Sequence, residues 1–292
     1  MNEEILEYYC EAGAIASKIL TRAAGMVRTG EPVLDLVETI EAAVCDEGGA
    51  LAFPLNISSN ENAAHDTAGP GDERLFSAGD LIKVDLGVHV EGYIADTALT
   101  VDLGKNGPLV EASAAALERA ISLVRPGVTA GDLGAAIQEE IEGRGFRPVA
   151  NLTGHGLGHF SLHGSPTIPN IAVSGGTVLK EGMAFAIEPF ATTGSGRVSE
   201  SQRVEIFSQL AVKPVRLPAA KKLLEAIRPR GGLPFSRRWI PGTKVDLAIA
   251  TLRRAQILHG YPVLHDIPGS LVSQAEHTVI VTEDGCLVTT RR

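Results

Sequence analysis

Cysteine is scarce in this 292-residue chain: Cys10, Cys45 and Cys286 are odd in number, far apart and free of any CxxC pair. That excludes a disulfide framework and a thiolate zinc site, so the three are expected to be reduced core residues. Long apolar runs are missing too. None approaches the roughly 20 residues of a membrane-spanning helix, and the start MNEEILEYYC has neither the basic nor the apolar region of a secretory signal. A cytoplasmic protein without membrane contact is the expectation. There is no HExxH, and no acid at Rossmann spacing follows the Gly-rich GHGLGHF at residues 154–160, which leaves a nucleotide site there without support.

What is present is an apolar content of 44%, enough for one large or two modest domains with a substantial core, and a net charge of −9 that is unevenly spread. Residues 213–254 hold eleven basic side chains against Glu225 and Asp246, so this stretch carries +9 and the remainder −18. A solvated basic face is the plain reading, and contact with RNA phosphates is the other.

Helical spacing of apolar residues predicts helices over 5–28, 33–44, 112–124 and 132–142. Residues 48–72, rich in Asn, Gly and Pro, read as loop with a short strand near 51–57. At 81–101 (LIKVDLGVHVEGYIADTALTV) the period changes to two: Ile82, Val84, Leu86, Val88 and Val90 alternate with Lys83, Asp85, Gly87 and His89 up to Glu91-Gly92, and a second strand follows. If this hairpin pairs Val90 with Tyr93, Asp85 faces Ala98 and Asp96 is a diagonal neighbour on the same face, about 7–8 Å away at the backbone. A bulge would separate them. A lone Asp in such a place is ordinarily a turn cap, but two acids in apolar strand sequence need another explanation.

The chain then repeats itself. Residues 26–44 (MVRTGEPVLDLVETIEAAV) align without gaps on 123–141 (LVRPGVTAGDLGAAIQEEI), and FSAGDLIKVD at 76–85 echoes LKEGMAFAIE at 179–188. Two related halves are implied, each with helices followed by a hairpin. Glu188 becomes the counterpart of Asp85. Strand character is expected to resume only at 275–282 (AEHTVIVT), which makes Glu276 the counterpart of Asp96. The spacing grows from 11 residues (85 to 96) to 88 (188 to 276), so an insertion that includes the basic segment interrupts the second hairpin.

Two carboxylates about 4 Å apart repel by roughly 4 kcal/mol at an effective dielectric near 20, so Asp85, Asp96, Glu188 and Glu276 together demand cations or shared protons. Oxygen ligands with one imidazole suit Mn, Fe, Co or Zn, and two ions about 3.5–4 Å apart can share carboxylates. The imidazole is expected from NLTGHGLGHFSLHG at 151–164, which offers His155, His159 and His163 on a loop, since Gly154, Gly156 and Gly158 disfavour a helix. His65 in NENAAHDT is a further candidate. His89, His259, His265 and His277 read as structural.

VDLG with Asp85, IADTALTV with Asp96, GHGLGHFSLHG with His155, AIEPF with Glu188 and AEHTVIV with Glu276 together resemble the methionine aminopeptidase family. The type II branch is closest in pattern, because it carries a helical insertion in the second hairpin, and the chain is similar to its short form without a charged N-terminal extension. The resemblance spans nearly the whole chain. It implies an α/β (α+β) pita-bread fold: two pseudo-twofold halves of helices packed on antiparallel sheet, forming one catalytic domain over 1–292 with a helical subdomain inserted at 195–265.

The resemblance also implies two divalent ions drawn from Co, Mn, Fe, Ni or Zn. Asp85 would chelate the first, Asp96 and Glu276 would bridge both, and His155 with Glu188 would complete the second. A water whose pKa the ions lower from 15.7 toward about 7 would attack the first peptide bond of a nascent polypeptide bearing N-terminal Met. Glu188 would shuttle the proton, His163 would stabilise the oxyanion and His65 would position the substrate. Phe53, Leu162 and Tyr261 stand at the family's pocket positions, and a small second residue would be enforced by steric exclusion. A cytoplasmic monomer is implied, with ribosome contact available to the basic insertion. Two departures stand out: residues 153–160 are richer in Gly than the family pattern, and 198–210 do not present its extra pocket histidine. Xaa-Pro dipeptidases share the fold and the five ligands but carry an additional N-terminal domain for which there is no room here. A non-enzymatic RNA- or ribosome-binding relative would lose ligands, and all five are present.

Overall fold

A computed structural model describes residues 1–291; Arg292, the last residue of the expected domain, lies outside the described residues. The first half begins with α1 (Glu3–Met26) and α2 (Val33–Asp46). Asn2 starts α1 because its side chain accepts the Ile5 amide at 2.8 Å, satisfying a donor that a helix N-terminus leaves free. Apolar faces of both helices, with Ile19, Leu36 and Ile40, bury against Val84, Leu86 and Val88 in one core. Three short strands follow, β1 (Ala50–Leu51), β2 (Asn56–Ser59) and β3 (Asn62–Ala64). The expected loop at 48–72 is therefore more ordered than its composition suggests. Pairing of β1 and β2 with the next strand supplies the order, and local sequence does not display such a partner.

That next strand, β4 (Leu81–Val90), forms a hairpin with β5 (Tyr93–Asp102). Val90 pairs with Tyr93 and Asp85 with Ala98, the register the sequence suggests. Glu91 and Gly92 both have positive φ, 48° and 83°, as a two-residue type I′ turn requires.

The second half holds α3 (Gly107–Ile121), α4 (Ala130–Gly143), β6 (Arg147–Pro148), β7 (Thr153–Gly158), β8 (Ser161–Pro169) and β9 (Ala184–Ile187). The sequence echo reappears in its hydrogen bonds. Pro32 bridges Leu75 as Thr129 bridges Val178, and the Gly30 amide donates to the Phe76 carbonyl as that of Gly127 does to Leu179. Each pair stands at aligned positions, and α2 and α4 begin and end at aligned residues. The two halves are copies of one design.

After β9 the chain runs through β10 (Phe190–Thr192), β11 (Ser199–Gln209), α5 (Pro218–Ile227), β12 (Phe235–Ser236), α6 (Val245–Arg254), β13 (Leu258–His265) and β14 (Val272–Gln274). It returns in β15 (His277–Val281) and ends with β16 (Cys286–Val288). Strand character thus resumes long before residue 275, and residues 195–265 carry three strands beside their two helices. The first four residues of β11 are polar, and β13 contains Gly260 and Pro262, so neither has ordinary strand composition. Mutual pairing makes them strands.

The halves meet where β5 touches the segment around Glu276. Ala98 and Glu276 exchange backbone hydrogen bonds at 3.4 and 3.0 Å. Threonine hydroxyls extend this seam both ways. Thr278 Oγ1 accepts the Asp96 amide at 2.7 Å and donates to its carbonyl at 2.8 Å, while Thr100 Oγ1 accepts the Gln274 amide at 2.9 Å and donates to its carbonyl at 2.7 Å. The arrangement is symmetric about the Ala98–Glu276 bridge. Since Asp85 pairs with Ala98 and Ile187 with His277, continuing the second register sets Glu276 opposite Glu188. Glu276 therefore occupies the place of Ala98, and Gln274, which pairs with Phe190 as Asp96 pairs with Gly87, that of Asp96. The expected equivalence of Glu276 with Asp96 is off by two residues, because the acid of the second half stands one row further along the sheet face.

Cys45 is exposed and Cys10 and Cys286 are half-buried, all free, so the cysteines are unpaired as expected but are not core residues. Among the described residues no helix is long and apolar enough to cross a membrane. The insertion has its own core of Phe207, Leu223, Ile227, Phe235 and Leu252. It is anchored on buried Glu41 of α2, which accepts from both terminal nitrogens of Arg238 (2.8 and 2.9 Å) and from Trp239 Nε1 (2.7 Å). Glu41→Ala would leave Arg238, with a side chain 8% exposed, lacking its counter-charge. Urea unfolding should show a loss of about 3–5 kcal/mol. A loss below about 1 kcal/mol would mean that the anchor lies elsewhere.

Candidate metal centre

One cavity of about 210 Å³ gathers Asp85, Asp96, His155, Glu188 and Glu276 with Phe53, His65, Leu162, His163 and Tyr261 along its walls. Asp85 comes from β4 and Asp96 from β5, while Glu188 follows β9 and Glu276 precedes β15. The cross-strand pairs Asp85–Ala98 and Ala98–Glu276 put the acids of opposite halves in one row, with Asp96 in the next. His155 stands on β7, which is strand where loop was expected. Its glycines are steric: a Cβ on Gly156 would lie 2.0 Å from the Ser165 carbonyl oxygen, so the close strand approach needs Gly. His155 Nε2 lies 3.7 Å from Asp96 Oδ2 and 3.4 Å from Glu188 Oε1. Asp96, His155 and Glu276 each present a ligand atom within 4.8 Å of the others.

The electrostatics are those of an unfilled charge demand. Burial raises Asp96, Glu188 and Glu276 well above the usual carboxylate range, and the charges of neighbouring acids raise them further. Burial lifts Asp85 to about 7. His155 is lowered to about 3, first by burial and next by His163, which keeps its imidazole neutral. Among the described residues no Lys or Arg pairs with these acids, and Asp85 Oδ1 and Asp96 Oδ1 lack any hydrogen-bond partner. Four buried carboxyls, a neutral imidazole and orphaned oxygens fit a divalent cation.

The remaining rings form a chain along the cavity. His155 and His163 lie 4.7 Å apart between ring centres, His163 and Tyr261 6.1 Å, and His65 and Tyr261 5.4 Å. His65 is held at φ 63°, a left-handed conformation rare outside Gly and Asn and often retained at functional sites. Burial lowers its pKa to about 4. His159 is turned away, exposed and 5.0 Å from the Tyr93 ring, so only two of the three clustered histidines enter the cavity. His259, which pattern leaves as structural, packs on Tyr261 at 4.6 Å and depresses the protonation of His163 and His65. It pairs across the ladder with Ser208, so its strand supplies a histidine where 198–210 have none. Period-two spacing from Tyr261 is the signal that could have found it. Asn56 and Gln274 also escape a reading of the sequence: Asn56 pairs with Asp85, and Gln274 Nε2 donates to Glu276 Oε2 at 3.2 Å. His89, His265 and His277 hydrogen-bond to Gly92, Asp266 and Thr290, which agrees with a structural role. Phe53 lies over Gly87, where a Cβ would come 2.2 Å from its ring. The Gly of VDLG thus makes room for a pocket wall.

Residues 7–283 match metallopeptidase family M24. The chain is 44% identical over 292 residues to methionine aminopeptidase of Archaeoglobus fulgidus, covering 100% of both chains. It is 46% identical over 287 residues to that of Pyrococcus horikoshii, covering 96% of this chain and 97% of the relative. The crystal structure of methionine aminopeptidase from Thermotoga maritima has the same fold, with a TM-score of 0.75 at 24% identity over 100% of this chain and 98% of that one.

Asp85 gives the centre a pH signature. Its pKa is about 7 in the metal-free fold against an ordinary 3.8, so the folded state binds the proton more tightly than the unfolded state. Its contribution to stability is present below about pH 4 and is lost as pH rises toward 7. In EDTA, Asp85→Asn should gain on the parent by up to about 1.4 kcal/mol per pH unit between about pH 5 and 7. Calorimetric stability curves that run parallel over that range would contradict this.

Proposed function

The chain belongs to metallopeptidase family M24, and from that premise we propose that it removes N-terminal methionine from polypeptides with the help of divalent metal. The observation that carries this reading is the set of four buried acids and one neutral imidazole, without a counter-cation, at the floor of a partly apolar cavity. We assign Asp85, Asp96, His155, Glu188 and Glu276 as the residues that would hold two ions of the Co, Mn, Fe, Ni or Zn class, Asp96 and Glu276 being shared. Bound there, such ions polarise a peptide carbonyl and acidify water.

The chain's own groups would do the rest. Glu188, which cations bound beside it would hold ionised, would take up the proton that leaves the attacking water and return it to the departing amine. Neutral His163 donates to the developing oxyanion, and His65 holds the substrate beside Tyr261. Phe53, Leu162 and Tyr261, with Ile206, form the apolar wall for the Met side chain, and their closeness limits the residue that follows it. We treat residues 195–265 as a subdomain inserted in one catalytic unit, acting in the cytoplasm as a monomer. A peptidase assay tests the reading: Met-Ala-Ser should lose Met with Mn or Co, and EDTA should abolish the reaction. Preference for Ala-Pro over Met-Ala would instead establish a dipeptidase.

A second reading concerns the basic insertion. Between 213 and 254 only Arg237 and Arg238 pair with acids among the described residues, while eight others, including Lys221, Lys222, Lys244 and Arg254, are exposed. We propose that they meet RNA phosphates when the protein works at the ribosome. Co-sedimentation with ribosomes should weaken by about two orders of magnitude or more between about 50 and 200 mM salt. Salt-insensitive or absent co-sedimentation would leave these cations as a solvated face.

A further inference from the structure

Gln274 ends β14 with 1% of its surface exposed, and no feature of its sequence surroundings marks it. Its backbone is clamped in both directions by the Thr100 hydroxyl. Its side chain reaches the acids. Nε2 donates to Glu276 Oε2 at 3.2 Å, and the same amide is a hydrogen-bonding neighbour of the Asp85 side chain. Its Oε1 has no partner, so the amide is oriented by the carboxylates and by nothing on its other side.

The symmetry of the seam shows why this residue stands alone. Gln274 is the counterpart of Asp96 about the Ala98–Glu276 bridge, each held through its backbone by the threonine opposite, Thr100 or Thr278. Where the first half places an acid, the second places a neutral amide. The Gln274 side chain bonds Glu276 of its own half and neighbours Asp85 of the other. An amide suits this place because it supplies two donors without charge, whereas Lys or Arg would fill the charge demand that a bound cation meets.

We propose that Gln274 is a positioning residue that fixes the Asp85 and Glu276 carboxylates in the geometry that binds divalent metal, and so sets the metal affinity of the centre. Groups that orient ligating carboxylates from behind are worth about 10–100-fold in metal affinity. The inference rests on the divalent-metal reading of the site.

The experiment titrates Mn²⁺ calorimetrically into the metal-free full-length chain, unaltered and with Gln274→Met, which keeps the length of the side chain and removes its donors. The metal-free melting temperature of each protein is recorded alongside. Gln274→Met is expected to melt close to the parent without metal and to bind Mn²⁺ about 10–100-fold more weakly. The visible absorption of bound Co²⁺ should shift, since it follows ligand geometry. Should Gln274→Met not fold, Gln274→Asn keeps a buried amide but shortens its reach, and the same loss is expected. A folded variant that binds Mn²⁺ within twofold of the parent, with an unchanged Co²⁺ spectrum, overturns the proposal. If the unaltered chain binds no Mn²⁺, the metal reading itself fails and the inference falls with it.

Discussion

Four carboxyl groups crowded into one buried cavity cannot all be ionised at neutral pH without a cation, and the protein is built around holding them there. Their repulsion acts across the boundary between two halves, because Asp85 and Asp96 belong to one and Glu188 and Glu276 to the other. A single two-residue backbone bridge would be a weak joint for such a load. The hydroxyls of Thr97, Thr100 and Thr278 lengthen it, each bonding to the backbone of the opposite half at 2.7 to 2.9 Å. Neutral hydrogen bonds hold the seam closed while leaving the negative potential of the cavity intact. A seam of Lys or Arg would have cancelled that potential.

The duplication supplies the scaffold, and departures from it supply the chemistry. Asp85 and Glu188 are true counterparts, as are Thr100 and Thr278, but around the central bridge Ala98 answers Glu276 and Asp96 answers Gln274. In each of these two unequal pairs one half contributes an acid and the other an uncharged residue. A strictly symmetric version would put both long acids in the same row and crowd them further. Alternation lets the four acids and His155 line one cavity.

How much of this was legible depends on the range of the interaction that fixes each residue. The first hairpin could be read from alternation, because Glu91-Gly92 sets a turn whose register follows from two positive φ values. Helices α2 and α4 could be read from their 3.6 period, and the repeat from six identities at matching spacing. What failed was long-range or steric. β11 and β13 exist because each pairs with the other, and β7 is a strand because Gly156 lets Ser165 approach, neither of which leaves a local trace. The candidate ligands were found because metal chemistry limits the residue types. His259 and Gln274 were not, since a His beside a Pro-containing strand and a Gln before Ala-Glu are common in any sequence.

The placement of the insertion bears on which substrates the cavity can accept. Phe53 comes from the first half, Leu162 and His163 from the second, and Tyr261 and Ile206 from the strands of the insertion, so the apolar wall is shared by three parts of the chain. Arg238 and Trp239 bind Glu41, which also accepts the Leu55 amide at 3.2 Å, and Arg230 donates to the Leu51 carbonyl at 2.9 Å. These contacts bracket Phe53 on both sides. The segment that carries the pocket's aromatic wall is thus fastened by cations of the insertion, and the same docking that buries Arg230 and Arg238 sets the distance between Phe53 and Tyr261. Discrimination of one side chain from another in an apolar pocket rests on small differences in contact, worth about 1–3 kcal/mol per methylene. A shift of the insertion by a fraction of an ångström would therefore alter selectivity before it altered the acids, which are tied to the seam and not to the insertion.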